Sequence, residues 1–467
     1  MKPTSLALAG RARRTSRVGL ALLLLAGAAL AGCATAPPSI ERPKARPLGA
    51  ALPSYVAPDA APDPSEGLGF PPEPDGTISL RDALAAALLR NPELAAFSWE
   101  IRVREARTLQ AGLRPNPEIG LEVENVAGSG AFNGTRGAET TLALGQLIEL
   151  GGKRMKRRRV AELDATLAGW DYETVRVGVL AEVARSFAGV LAAQERLRLT
   201  VELVGLAGQS LETVSRQVDA GASSPVERVR AEVTLATQLL AQRAAEAGLA
   251  AARARLAATW GGREARYGDA EGDLFAVTAP PAPEELARRI DANPELARWV
   301  QEIELRKAVV ELEDARRIPD PVASAGVRRL EESNDTALVF GVSMPLQIFD
   351  RNQGARLAAR RDLTKARAQR LAVAVNVQSA LAVATQELGA SYHEVVTLRE
   401  QVLPKAERAY RDVRQGYLRG LFRYLDVLDA QRSLFELRAR EIDALETYHG
   451  AVAEVERLTG TPIQRRP

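Results

Sequence analysis

The sequence predicts a mainly α-helical protein that carries a small membrane-type sheet and is completed by copies of itself. Three observations predict this fold. Long stretches rich in Ala, Leu, Arg and Glu, in a chain of 467 residues with only 4% aromatics, are the composition of packed helices. Four short segments between them switch to a period of two, the alternation of a strand with one apolar face. The chain is also written twice. Asn91-Pro92-Glu93-Leu94-Ala95 returns as Asn293-Pro294-Glu295-Leu296-Ala297, and Pro115-Asn116-Pro117 is answered by Pro319-Asp320-Pro321. Gly221 is answered by Gly420 and Gly261 by Gly460, at an offset near 200 residues that is too long for a solenoid repeat.

Residues 1–32 read as an export signal: Lys2, Arg11, Arg13, Arg14 and Arg17, then a 13-residue apolar run from Val18 to Leu30, then Leu30-Ala31-Gly32-Cys33. The run is too short to span a bilayer but suits a signal peptide. Cys33 is the only cysteine, so it forms no internal disulfide, and its place after the run assigns it as a lipid attachment point in a bacterial lipoprotein. Ala34 stands where an aspartate would favour inner-membrane retention, so outer-membrane delivery is expected. All five charges of the signal are positive, and its removal takes the formal net charge from +3 to −2, which implies no nucleic-acid partner.

Residues 33–76 read as a tether, because 11 of the 26 prolines lie between Ala36 and Gly76. Folding is expected from Thr77 through 467, with repeat halves at 77–262 and 281–460. No proline interrupts Lys153 to Ala222 or Asn352 to Leu403. A helix of roughly 65 residues extends about 100 Å. The segments that return after Gly221 and Gly420 are about half as long, so the helices ending near Leu113 and Arg317 must stack on them to match each long rod. The clearest seam is a heptad through Ala374, Leu381, Leu388, Val395 and Val402, with Val377, Ala384, Ser391 and Leu398 three residues after the first four.

The predicted strands are Glu118 to Val126, Thr140 to Ile148, Val322 to Arg329 and Ala337 to Met344. In the last, Leu338, Phe340, Val342 and Met344 alternate with Val339, Gly341 and Ser343. A single-chain transmembrane barrel needs at least about eight strands. Four would leave open edges that hydrocarbon does not tolerate. Three copies would close twelve strands. The competing reading is a soluble α+β protein with an ordinary sheet.

These residues resemble the TolC family of outer-membrane efflux ducts over 77 to 460. The resemblance rests on the two half-repeats, on Gly145-Gln146-Leu147-Ile148-Glu149-Leu150-Gly151-Gly152-Lys153-Arg154, on Pro345-Leu346-Gln347-Ile348-Phe349-Asp350-Arg351, and on Tyr424-Leu425-Asp426-Val427-Leu428-Asp429-Ala430-Gln431. The glycine-rich exit ending in Lys153-Arg154 is similar to the CzcC and CusC branch of heavy-metal efflux lipoproteins. The resemblance implies a homotrimer with a twelve-stranded β-barrel and an α-helical periplasmic tunnel, meeting a periplasmic adaptor and an inner-membrane pump. It also implies a gate. Asp426 and Asp429 match acids that line the family's pore constriction, Tyr417 matches a gate tyrosine, and Glu227 stands where its acidic partner is expected. Phe422 occupies the family's gate-arginine position, with Arg423 beside it. The turns Gly221-Ala222-Ser223 and Gly420-Leu421-Phe422 would form adaptor-docking tips.

Other patterns carry less. Lys153-Arg154-Met155-Lys156-Arg157-Arg158-Arg159 resembles a nucleic-acid patch but reads better as a basic helix start beneath a membrane. Two histidines, one cysteine and three methionines supply no convincing metal cluster, so no resident metal or cofactor is expected. No nucleophile-base set or phosphate loop points to an enzyme. The expected function is a passive efflux duct, with heavy-metal cations as cargo or, alternatively, drugs and other small organic molecules. The competing class is a periplasmic adaptor lipoprotein, which should show one hairpin and a lipoyl-like β domain.

Overall fold

The computed structural model describes residue 40 and residues 42–60 and 69–463; the signal, Cys33 and the residues around it lie outside the described residues. The first half begins with β1 (Gly76–Ser79), α1 (Leu80–Arg90) and α2 (Pro92–Gly112), continues through β2 (Glu118–Glu124) and β3 (Glu139–Leu147), and ends in α3 (Lys153–Asp219) and α4 (Pro225–Ala258). After β4 (Tyr267–Glu271), the second half repeats the plan: α5 (Pro283–Arg288), α6 (Pro294–Arg316), β5 (Val322–Leu330), β6 (Asp335–Ser343), α7 (Gln353–Thr397), α8 (Leu403–Leu418) and α9 (Tyr424–Thr459). The helix α3 has 67 residues, about 100 Å. Its counterpart runs 66 residues from Gln353 to Leu418, and a single π turn at Leu398–Val402 joins α7 to α8.

The repeated Asn-Pro-Glu-Leu-Ala is a splice between stacked half-length helices. Asn91 caps α2 by accepting from the Leu94 amide at 2.9 Å, and Pro92 follows where a missing N–H costs nothing. Its side-chain amide donates to the Thr259 carbonyl at 2.8 Å, holding the start of α2 to the end of α4. Asn293 does the same, accepting from Leu296 at 3.0 Å and donating to the Leu458 carbonyl of α9 at 2.9 Å. The paired glycines complete the joint. Gly261 has φ +79° and a Cβ there would meet Pro92 at 3.0 Å, while Gly460 has φ +64° and a Cβ would meet the Ala292 carbonyl at 2.8 Å. One long rod therefore faces two half-length helices in each half, as the sequence requires.

The predicted heptad seam is buried where expected: Val377, Leu381, Ala384 and Leu388 pack on Tyr448, Ala451, Val452, Val455 and Leu458 of α9. Further along, Val395 and Leu398 pack on Ile442, Ala444 and Leu445. The halves meet where Leu163 and Leu167 of α3 pack on Leu305 and Ala308 of α6.

All four predicted strands form one antiparallel sheet in the order β2-β3-β5-β6. Its register aligns the alternation across the sheet. Ile119 lies opposite Leu144, Leu144 opposite Ala325 and Ala325 opposite Phe340; Leu121, Leu142, Val327 and Leu338 make the next row. This face is apolar and open to the surroundings, with Phe340 76% exposed. The opposite face carries Glu118, Glu122, Glu124, Glu139 and Asp335 around Arg328. The Arg328 guanidinium pairs with Glu139 at 2.7 Å and Glu124 at 3.1 Å, and donates to Thr141 at 2.9 Å. Both edges, β2 and β6, are unpaired within the protomer.

Two features depart from the sequence reading. The strands β1 and β4 form a separate parallel pair with Gly76 opposite Tyr267, which short alternation had not revealed. The stretch expected to be a free tether is a packed strap over residues 42–60. The Leu48 amide donates to the Gly460 carbonyl, the Tyr55 amide to Leu88, and the Ala57 amide to the Ser98 hydroxyl at 2.8 Å. The Arg46 amide donates to Glu173 at 2.5 Å, and Glu173 pairs with Arg176 at 2.7 Å with side chains only 5% and 3% exposed. Proline suits this segment because a strap that borrows partners from helices needs few amides of its own.

Candidate functional site

The tips are built alike. At the end of α3 the Gly221 amide donates to Val218 at 3.0 Å and the Ala222 amide to Gln217 at 2.8 Å; at the end of α8 the Gly420 amide donates to Tyr417 at 2.9 Å and the Leu421 amide to Gly416 at 2.8 Å. These paired bonds form the glycine C-terminal cap, which needs positive φ, and Gly221 and Gly420 supply it at +69° and +74°. Each chain then reverses into a returning helix, α4 or α9.

Between the tips the rods are latched, but not by the predicted pair. The Tyr417 hydroxyl donates to Gln217 Oε1 at 2.5 Å, tying α8 to α3. The Glu227 carboxylate is taken instead by the Ser223 hydroxyl. Ser223 is only four residues away in the same turn, so that bond orders little extra chain. Glu227 still acts through its charge. Burial first, and then Glu227, raise the Tyr417 phenol above its ordinary range. Tyr424, its ring tilted 48° against that of Tyr417 with centroids 5.8 Å apart, is pushed up to about 12, mainly by burial and next by Tyr417. Both phenols are therefore neutral at physiological pH, and Tyr417 is the one that donates across the rods. Val214, Ala231 and Tyr424 form the apolar floor beneath this latch.

Arg423 contributes its backbone rather than its guanidinium: its amide donates to Asp426 Oδ2 at 2.8 Å at the start of α9. Asp426 is thereby a helix-capping acid as well as a candidate pore acid. Asp429, one turn on, is exposed on the same helix edge. The tip residues also differ. Leu421 is 73% exposed, whereas Phe422 lies against Gly416, where a Cβ would meet the ring at 2.3 Å. Gly416 is small because Phe422 folds back on it, so Phe422 is partly consumed by packing within its own protomer.

Sequence reasoning missed Gln217 and a set of arginine ties above it. Arg438 of α9 pairs with Glu202 of α3 at 3.1 Å and with Glu407 of α8 at 3.1 Å, and Arg196 of α3 pairs with Asp443 at 2.5 Å and Glu446 at 2.7 Å of α9. Charge runs on helices carry no signal of partner, so only the packed rods reveal these pairs.

Two latched helical hairpins continuing into an open sheet with one apolar face define the protomer of an outer-membrane efflux channel. The chain belongs to the outer membrane efflux protein family, whose sequence profile matches residues 83–262 and 287–461. It is 37% identical over 391 residues to the cobalt-zinc-cadmium resistance protein CzcC of Cupriavidus metallidurans, covering 84% of this chain and 92% of that protein. It is 30% identical to the nickel and cobalt resistance protein CnrC of the same organism, covering 65% and 71% respectively. Among solved structures, CusC has the same fold with a TM-score of 0.69 at 17% identity, covering 82% of this chain and 92% of CusC. The adaptor alternative falls here, because two hairpins and an open sheet replace the single hairpin and lipoyl-like domain it requires.

Proposed function

We propose that three copies of this channel close a twelve-stranded barrel in the outer membrane, and that the rods form a periplasmic tunnel through which divalent metal cations leave the cell. The open sheet carries this reading. Its two unpaired edges and continuous apolar face are incompatible with lipid unless other copies supply the missing partners. The rods need copies as well. Val226, Val229, Val233 and Leu240 form an exposed stripe at helical spacing on α4, and Leu371, Val375 and Val383 are exposed on α7. The helix Gln353–Leu418 even contains a window apolar enough to cross a membrane by length and composition, only 22% buried in one protomer, which suits a face covered by a neighbouring copy.

The cation cargo rests on the resistance relatives and on charge. The polar face of the sheet carries five carboxylates against one arginine, and Asp426 and Asp429 add six carboxylates at the tips of a trimer. A low-dielectric passage lined by one sign of charge concentrates the opposite ion. Lipid attachment at Cys33 anchors the strap to the same membrane, and an adaptor seated on Leu421 and the Gly221-Ala222-Ser223 turn joins the duct to an inner-membrane pump that supplies the energy. Arg423, whose side chain is not used within the protomer among the described contacts, completes the gate across copies.

Two measurements test this. Detergent-solubilised protein is expected as a trimer with cation-selective conductance in planar bilayers, and restoring the gene to a deletion strain is expected to restore tolerance of cobalt, zinc or cadmium. A stable monomer without conductance would remove the duct reading, and unchanged metal tolerance would remove the cargo.

A further inference from the structure

Charge pairing along α3 changes at its upper end. From Arg176 to Arg216 every arginine of the rod has a carboxylate partner. In the basic run that opens the rod, Lys153, Arg157 and Arg158 are paired, whereas Arg154 and Arg159 have no carboxylate partner among the described residues. The same surplus recurs where the other helices meet the sheet. Arg114 follows the end of α2, Arg317 follows the end of α6 and Arg351 precedes α7; all three are exposed, and none pairs with a carboxylate among the described residues. The Arg351 guanidinium reaches the Ile348 carbonyl at 3.3 Å. Each of the four strand–helix junctions therefore presents an arginine whose charge the protomer leaves open. Glu311 and Asp350 are exposed at the same level and leave the excess positive.

Apolar side chains mark the same level. The alternation of β6 runs on past its end through Met344, Leu346 and Ile348, all exposed, and Phe349 beside them is 90% exposed. Met155 is 71% exposed, and it shares a face of α3 with Arg159, since positions 155, 159, 162, 166, 169 and 173 recur at helical spacing. Lower down, that face carries the strap: a Cβ on Gly169 would meet Pro43 at 2.5 Å, and Glu173 accepts from the Arg46 amide. The strap leads back to Cys33, the proposed point of lipid attachment, so in the proposed duct this face looks outward and not into the passage.

We infer that the junction arginines form a collar that binds the phosphates of anionic phospholipids in the periplasm-facing leaflet, with Leu346, Ile348 and Phe349 at the boundary of the acyl chains. This rests on the proposed duct, because one protomer supplies a third of the collar and a trimer surrounds itself with twelve such junctions. The first two turns of α3 descend about 11 Å, close to the Debye length of about 8 Å at physiological salt. Charges in those turns still feel the headgroups, and charges further down the rod do not. Arginine suits the task, since its planar fork can bond two phosphate oxygens at once. The two signs of charge are thereby sorted, carboxylates to the polar face of the sheet and arginines to the headgroups.

The test reconstitutes the full-length protein in phosphatidylcholine vesicles that carry a trace of spin-labelled phosphatidylglycerol or spin-labelled phosphatidylcholine, and reads the fraction of each lipid immobilised on the protein. A preference of about fivefold for phosphatidylglycerol is expected at low salt, falling to parity in about 1 M salt. Arg114→Gln, Arg154→Gln, Arg317→Gln and Arg351→Gln together are expected to remove the preference at low salt, and lysine at the same four positions to retain most of it. Equal immobilisation of the two lipids by the unaltered protein, or a preference that survives salt or the glutamine substitutions, would overturn the collar. Higher cation selectivity of the glutamine variant in phosphatidylcholine bilayers would also overturn it, because the arginines would then line the passage. The salt comparison uses the unaltered chain, so it decides the matter even where a variant fails to assemble. A protein that is monomeric and non-conducting overturns the duct and the collar with it, whereas a conducting trimer without lipid preference overturns the collar alone.

Discussion

At the scale of single residues, the proposed gate is tied by the neutral Tyr417 phenol donating to Gln217 rather than by an ion pair. Removing the Tyr417 hydroxyl with Tyr417→Phe deletes one part-buried hydrogen bond, worth about 1 kcal/mol per protomer. Higher conductance in planar bilayers is the expected outcome, with Gln217→Ala giving a similar rise and Glu227→Gln a smaller one, since Glu227 acts only through its field. The pH response has a defined sign. An unfolded tyrosine ionises near 10, whereas Tyr424 is held up to about 12 in the fold. Its contribution is full below pH ~10 and is lost as pH rises toward the folded value. Conductance should therefore be flat through neutral pH and rise only above about pH 10. The acids at the tip separate by the same reasoning. Asp429→Ala is expected to relieve block by multivalent cations without a change in thermal stability. Asp426→Ala should relieve block and also cost roughly 1 kcal/mol, because it removes a cap from α9.

At the scale of elements, the splices and the strap hold the protomer together. Asn293→Ala removes a cap and leaves the Leu458 carbonyl unpaired in a buried joint, a loss of about 2 kcal/mol that should appear as a lower dissociation temperature of the trimer on gels. Glu173→Ala strands the Arg176 guanidinium in the interior beneath the strap and should cost about 3 kcal/mol or more by the same assay. Most of this architecture was readable. The two repeated halves, the seam from Val377 to Leu398, and all four strands follow from the internal repeat, heptads and alternation, whereas the capping roles of Asn91 and Asn293 within that repeat emerged only from the fold. The strap was not readable, since its contacts to Ser98, Leu88 and Gly460 join residues far apart in sequence and a proline-rich composition looks the same whether packed or free. The Tyr417 latch was half readable for a related reason: position and type selected the donor, but the choice between Gln217 and Glu227 depended on Ser223 reaching the carboxylate first.

At the scale of the whole molecule, in the proposed trimer the duplication dictates how copies meet. Within the protomer, β3 pairs with β5 so that Gly145 faces Ser324 and Leu142 faces Val327. The hairpin of the first half, with Glu118 opposite Gly145, is answered in the second by Val322 opposite Ser343, so β5 corresponds to β2 and β6 to β3. Carrying the β3–β5 pairing forward by one half places Ser343 of one copy opposite Gly120 of the next, and Phe340 opposite Val123. The faces agree, since Ser343 and Gly120 both lie on the polar side and Phe340 and Val123 on the apolar side. A slip of one residue would put polar side chains against lipid, so the register is strongly fixed. Residues directly opposite in an antiparallel pair bring their Cβ atoms within about 5 Å. A Cβ at Gly120 meets nothing within 4 Å in the protomer, so a cysteine there is tolerated. The chain with Ser343→Cys and Gly120→Cys is therefore expected to give a covalent trimer on mild oxidation, and Ser343→Cys with Leu121→Cys to give none. A covalent trimer from the second pair rather than the first would mean that the halves of the repeat are not equivalent at the seam between copies, and the barrel would have to close in another register.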